Sequence, residues 1–148
     1  QRWRGATMCV VLGRGFNYTT ALEIALKLKE LCYITAEPFS SADFLHGPIA
    51  IVQDKFPVIV VAPRGKVHSD LVDMARQLKD RGADLAIISD VPETLALGTP
   101  LALPSSLPEW LSPLVAVLPG QLLALQLTSA KGYDPDHPRG LTKVTRTL

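Results

Sequence analysis

Three short runs, "TMCVVLG" (7–13), "FPVIVVAP" (56–63) and "ADLAIISD" (83–90), are apolar at almost every position and rich in Val and Ile. A strand with no polar side must be covered on both faces, so these runs belong to a sheet with helices above and below it. Segments of helical period follow the first two: "TTALEIALKLKELC" (19–32), and "SDLVDMARQLKDRG", in which Ser69 is suited to capping the start and Gly82 to ending the helix. "YITAEPF" (33–39) reads as a short strand, and "TPLALPS" (99–105) as a fifth. "SSADFLHGPIAIV" begins with a serine suited to an N-cap and gives a short helix interrupted near Gly47 and Pro48. The order predicts an α/β domain, a three-layer sandwich around a five-stranded parallel sheet joined by right-handed crossovers. In such folds ligands bind beyond the carboxyl ends of the strands, here the loops after Leu12, Phe39, Ala62 and Ile88.

The length of 148 residues predicts one domain over 1–148, large enough for a core without disulfides or metal. A formal charge of +1 offers no electrostatic case for nucleic acid or an acidic partner. Cys9 falls in a strand and Cys32 at a helix end, so two buried free thiols are expected rather than a bridge, which points to a reducing cytosol. The opening "QRWRGATMCVVLG" has the pattern of no signal peptide, and its lack of a starting methionine suggests a processed chain or a fragment. The stretch "WLSPLVAVLPGQLLALQLTSA" (110–130) is uncharged and long enough for a membrane span. Pro113, Pro119, Gly120, Gln121 and Gln126 argue instead for a buried helix, at a subunit interface or within the domain.

Within "ALEIALKLKE" (21–30), Glu23, Lys27 and Glu30 fall within about 60° of one another on a helical wheel. Ile24, Ala25, Leu28 and Leu31 occupy the other side. As an exposed face, the stripe is a pair of ion pairs worth about 0.2–0.5 kcal/mol each. As a narrow polar strip on a mostly apolar helix, it is the wall of a cleft. Both readings stand at this level.

Other candidates divide in the same way. "GRG" (13–15) after the first strand is a tight turn that lets backbone approach a ligand or a neighbouring helix. As a dinucleotide fingerprint it lacks the third glycine and an acidic ribose partner. Arg64 and Lys66 in "APRGKVHSD" (62–70) can hold a phosphate or form a solvated basic loop. His46 in "FLHGP" is either a packing residue or a proton-transfer group near neutrality.

Taken together, "LGRGFNYTTALEIALKLKELCYITAEPFSSADFLHGPIAIV" and the tail "DPDHPRGLTKVTRTL" resemble the sugar isomerase (SIS) domain. They look most like the second SIS half of glutamine-fructose-6-phosphate aminotransferase and its glutaminase-less relatives, the amino-sugar phosphate deaminases. The resemblance covers essentially the whole chain. It implies a flavodoxin-like SIS fold and ketose/aldose isomerisation of a hexose 6-phosphate, fructose 6-phosphate or glucosamine 6-phosphate, without metal or cofactor. Glu30 matches the carboxylate that carries a proton between C2 and C1, and His46 the histidine that assists ring opening from a neighbouring subunit. Lys143 matches the C-terminal lysine that forms a Schiff base with the open-chain ketose. Glu23 and Lys27 match supporting positions, and Gly13, Gly15 and Thr142 are expected to contact substrate.

The resemblance also implies what is missing. In the family a serine/threonine-rich loop of the first SIS half holds the phosphate, whereas here the corresponding turn reads "APRGKVHSD". The expected partners are a sugar phosphate and a second SIS domain or subunit that completes the site, in a cytoplasmic homodimer, with no nucleic acid and no membrane. The isolated chain is expected to be inactive. The alternative function is a non-catalytic sugar-phosphate-binding regulatory module, which needs the cleft but not Lys143.

Overall fold

The structure, a computed structural model, describes residues 2–104 and 107–140. Five parallel strands, β1 (Met8–Gly13), β2 (Thr35–Ser40), β3 (Pro57–Val61), β4 (Asp84–Ser89) and β5 (Thr99–Ala102), lie in the order β2-β1-β3-β4-β5. The order reverses between β1 and β3, which puts the switch point of this flavodoxin-like arrangement at the loops after Gly13 and Val61. Period-2 alternation divides the central strands between two cores. Cys9, Val11, Ile59 and Ile88 pack under helices α1 (Asn17–Cys32) and α5 (Ser112–Ala130). Val10, Leu12, Val60 and Ile87 pack on the other face, under α2 (Ser41–Leu45) and α3 (His68–Asp80). A further short helix, α4 (Pro92–Leu95), leads into β5.

Most element bounds follow from local chemistry. Gly82 ends α3 at φ +83°, with the Ala83 N–H returning to the Leu78 carbonyl at 3.0 Å. The start of α3 differs from the expectation of a Ser69 cap: the Gly65 carbonyl accepts the His68 N–H, and this turn starts the helix one residue before Ser69. Helix α1 also starts early, because Asn17 is buried with partners of its own. Its amide donates to Ser112 Oγ at 2.7 Å and its carbonyl oxygen accepts from Thr20 Oγ1 at 3.1 Å, tying the starts of α1 and α5 together. Strand β2 begins at Thr35 rather than Tyr33, because Tyr33 turns left-handed (φ 54°, ψ 36°) to cap α1. An L residue there costs roughly 1–2 kcal/mol, so its surroundings must hold it.

Helix α5, expected as a buried helix at a subunit interface or within the domain, docks on the sheet by one face. Ala116, Gly120, Ala124 and Leu127 face inward, while Leu114, Leu118, Leu122 and Leu125 are 70%, 52%, 57% and 42% exposed. Gly120 allows the close approach to α1: a Cβ on it would lie 2.3 Å from Ile24 Cδ1.

Candidate functional site

The first strand ends in a turn whose glycines serve the backbone. A Cβ on Gly13 would lie 2.2 Å from the Asn17 carbonyl oxygen, so only glycine lets β1 meet the first turn of α1. Gly15 adopts φ +58°, a left-handed conformation open to glycine without strain. Between them Arg14 swings to Asp70, Nη1 to Oδ2 at 2.6 Å, so its charge is already answered. Arg14, Ser41, Leu45, Asp70 and Gln77 line a hollow of about 300 Å³ there. The Ser41 hydroxyl is buried without a hydrogen-bond partner among the described residues.

Across the switch point, the loop after β3 has its donors occupied by carboxylates. The Arg64 N–H donates to Asp90 Oδ1 at 2.7 Å, and the Arg64 side chain lies 3.6 Å from the same carboxylate. The Lys66 N–H donates to Glu109 Oε1 at 3.1 Å, and that carboxylate sits where a Cβ on Gly65 would fall. An anion would have to displace Asp90 and Glu109, so this loop is a poor phosphate cradle. His68 in the following turn meets Thr94 Oγ1 at 3.0 Å, and its burial pulls it below the ordinary histidine range.

The stripe on α1 forms one connected cluster. Lys27 Nζ lies 2.8 Å from Glu30 Oε2 and 3.7 Å from Glu23 Oε1, and Gln121 of α5 donates to Glu23 Oε1 at 3.4 Å. The hydrogen bond it donates to Glu30, chiefly, holds Lys27 above the ordinary lysine range; partial burial opposes it and Glu23 adds to it. An amine so held stays an ammonium at neutral pH and cannot be the nucleophile that forms an imine.

Exposure bears on the two readings of this stripe. The side chains of Lys27 and Glu30 are each 30% exposed and that of Glu23 36%, so none of the three is fully solvated. Leu22 and Leu26 beside them are exposed, as are Lys29 on the same side of α1 and the outer leucines of α5, so a mixed, largely apolar surface borders the charges. Two further hollows lie around Arg2 and Trp3 and contain none of Glu23, Lys27, Glu30 or His46. Among the described residues, the charged cluster therefore lines none of the hollows found and lies at the surface beside α5.

His46 follows α2 and is exposed. Because α2 packs on the opposite face of the sheet from α1, the sheet separates His46 from Glu30 within one copy. Lys143 and Thr142 lie outside the described residues. Before them, the Arg139 N–H donates to the Tyr33 hydroxyl at 2.8 Å, at the end of α1 that carries Glu30. Sequence reasoning missed this contact, Gln121 and Ser41. The aromatic residues in "CYI" and "KGYDP" were the only signal for the first.

Comparison with known proteins gives concordant results. The model of the SIS domain family matches residues 5–128. The chain is 44% identical over 132 residues to glutamine-fructose-6-phosphate aminotransferase (isomerizing) of Thermococcus kodakarensis, an alignment covering 89% of this chain and 22% of that protein. It thus spans about a fifth of the length of such relatives. Among solved structures, the C-terminal domain of glucosamine-fructose-6-phosphate aminotransferase from Francisella tularensis superposes with TM-score 0.84 at 31% identity, over 92% of this chain and 39% of that one. Tagatose-6-phosphate ketose/aldose isomerase from Escherichia coli gives TM-score 0.79 at 25% identity, over 96% and 40%.

Proposed function

Since the chain belongs to the SIS domain family, we propose that it is the second SIS domain of a longer amino-sugar phosphate enzyme, an aminotransferase/isomerase or deaminase acting on fructose 6-phosphate or glucosamine 6-phosphate. The observation that carries the reading is the connected Glu23–Lys27–Glu30 cluster on α1, joined to α5 through Gln121 and bordered by exposed leucines. The names of the aminotransferase and ketose/aldose isomerase relatives support it.

Glu30 is the proton carrier. As a carboxylate it removes the proton from one carbon of the open-chain sugar phosphate and returns it to the neighbouring carbon through an enediol or enolamine. Lys27 keeps a cation 2.8 Å from it. Lys143 supplies the amine for a Schiff base with the ketose, a role Lys27 is unfit for. His46 assists ring opening in the site of a neighbouring copy, a division of labour favoured by the sheet that stands between it and Glu30. A second SIS domain supplies the phosphate loop, since Asp90 and Glu109 already fill the loop after β3. Gly13 and Gly15 shape the turn beside the substrate, and Thr142 lies next to Lys143. The enzyme works as a cytoplasmic homodimer, a location supported by the two reduced, buried cysteines.

The test is Glu30→Gln in the longer protein: isomerisation is lost while sugar-phosphate binding persists, and an unaffected rate removes Glu30 from the mechanism. The isolated chain turns over neither sugar phosphate; robust activity from it alone contradicts the need for a second domain. A sugar-phosphate sensor is the other reading, favoured if the full-length protein binds ligand tightly but borohydride traps no adduct on Lys143.

A further inference from the structure

Among the described residues, polar side chains join α1 to α5 at three levels. Asn17 donates to Ser112 Oγ at 2.7 Å where both helices start, and Cys32 Sγ meets Thr128 Oγ1 at 3.2 Å near their ends. All four of these residues are buried, so each pairing is what exclusion from water demands. The third contact is different. Gln121 Nε2 donates to Glu23 Oε1 at 3.4 Å, although both residues are part-exposed and within reach of water. Helix α5 carries no charged residue from Ser112 to Ala130, and Gln121 is where it meets the charges of α1.

The oxygen that Gln121 holds is the one that Lys27 faces. Lys27 Nζ lies 3.7 Å from Glu23 Oε1 and 2.8 Å from Glu30 Oε2, so one ammonium stands between two carboxylates and closer to the second. An ammonium has three donors on a flexible stem, and its position follows the balance of the acceptors around it. With the Gln121 amide on it, Glu23 Oε1 is already served; without that donor, the same oxygen draws Lys27 off Glu30. We infer that Gln121 is a positioning residue of the charged cluster: its amide holds Glu23, which leaves the Lys27 ammonium on Glu30 and so fixes the carboxylate that carries the proton. The inference rests on the role proposed above for Glu30. Gln121 itself touches no reacting atom.

The experiment uses the longer protein and steady-state isomerisation of fructose 6-phosphate. Gln121→Met keeps the length of the side chain and removes its donor; kcat falls about tenfold with little change in KM, the mark of lost orientation rather than lost binding. Gln121→His, which keeps a ring N–H as donor, restores part of the rate. The decisive measurement is a double-mutant cycle with Glu23→Ala. Once Glu23 is gone nothing competes for Lys27, so Gln121→Met causes no further loss in that background. A wild-type kcat in Gln121→Met overturns the inference. So does a loss of equal size with and without Glu23, which is what mere packing of Gln121 would give. Either result leaves the role of Glu30 standing, whereas turnover that survives Glu30→Gln overturns that role and the inference with it.

Discussion

Lys27 Nζ lies 2.8 Å from Glu30 Oε2, in a pair whose side chains are each 30% exposed. The pair raises the Lys27 pKa, so its contribution to stability is fully present below the unfolded lysine value near 10.4 and is lost as pH rises through the higher folded value. Being part-exposed, it is worth less than about 1 kcal/mol. Denaturant titrations of wild type and Lys27→Met should differ by a constant amount from pH 7 to 9 and converge at still higher alkalinity. Borohydride with fructose 6-phosphate at neutral pH should leave Lys27 unlabelled.

The approach of α1 and α5 is set by Gly120. A methyl group there meets Ile24 Cγ1 at 2.4 Å as well as Cδ1, and Ile24 is fully buried. Gly120→Ala should destabilise the domain by about 1–3 kcal/mol through overpacking, despite the higher helix propensity of alanine. Thermal melts of Gly120→Ala with and without Ile24→Val check it, the second change recovering part of the loss.

Burial governs both thiols. It pushes Cys9 up to about 12, with Cys32 and Glu37 adding to the effect, and raises Cys32, whose Sγ lies 3.2 Å from both the Ala124 carbonyl and Thr128 Oγ1. Thiolate is the reactive form, and at pH 8 Cys9 holds about one part in ten thousand of it. A colorimetric disulfide reagent should therefore titrate neither cysteine until denaturant unfolds the chain.

His68 gives the domain a weakness toward acid. Its folded pKa is lowered, chiefly by burial, with Asp90 opposing and Arg64 adding. The unfolded chain thus takes up a proton first, near pH 6.5; stability is full above that value and declines as pH falls through the lower folded one. Melting temperatures between pH 7.5 and 5 should fall less steeply for His68→Gln, which can still bond to Thr94.

Leu118 and Leu122 stand on the outer side of α5, 52% and 57% exposed. If this face is covered by a second SIS domain, Leu118→Lys with Leu122→Lys should leave the fold of this chain intact, since neither lies in the core. Light scattering after gel filtration should then show a smaller assembly of the longer protein; an unchanged mass would place the interface elsewhere.

The sequence by itself determined the layered architecture. Runs such as 56–63 and 83–90 have no polar face to give to water, and helical period between them leaves only a parallel sheet covered on both sides. It also determined the charged stripe, because the spacing of Glu23, Lys27 and Glu30 puts them together on any helix. Tertiary structure decided what the stripe touches. Gln121, far away in the sequence, reaches Glu23 only when α5 docks on α1. The same holds for the loop after β3, whose basic letters suggested phosphate until Asp90 and Glu109 folded onto it from distant parts of the chain. Local periodicity is written in neighbouring residues. The occupancy of a donor, the depth of a charge and the sheet between Glu30 and His46 are set by residues far apart in the chain, and the fold alone brings them together or keeps them apart.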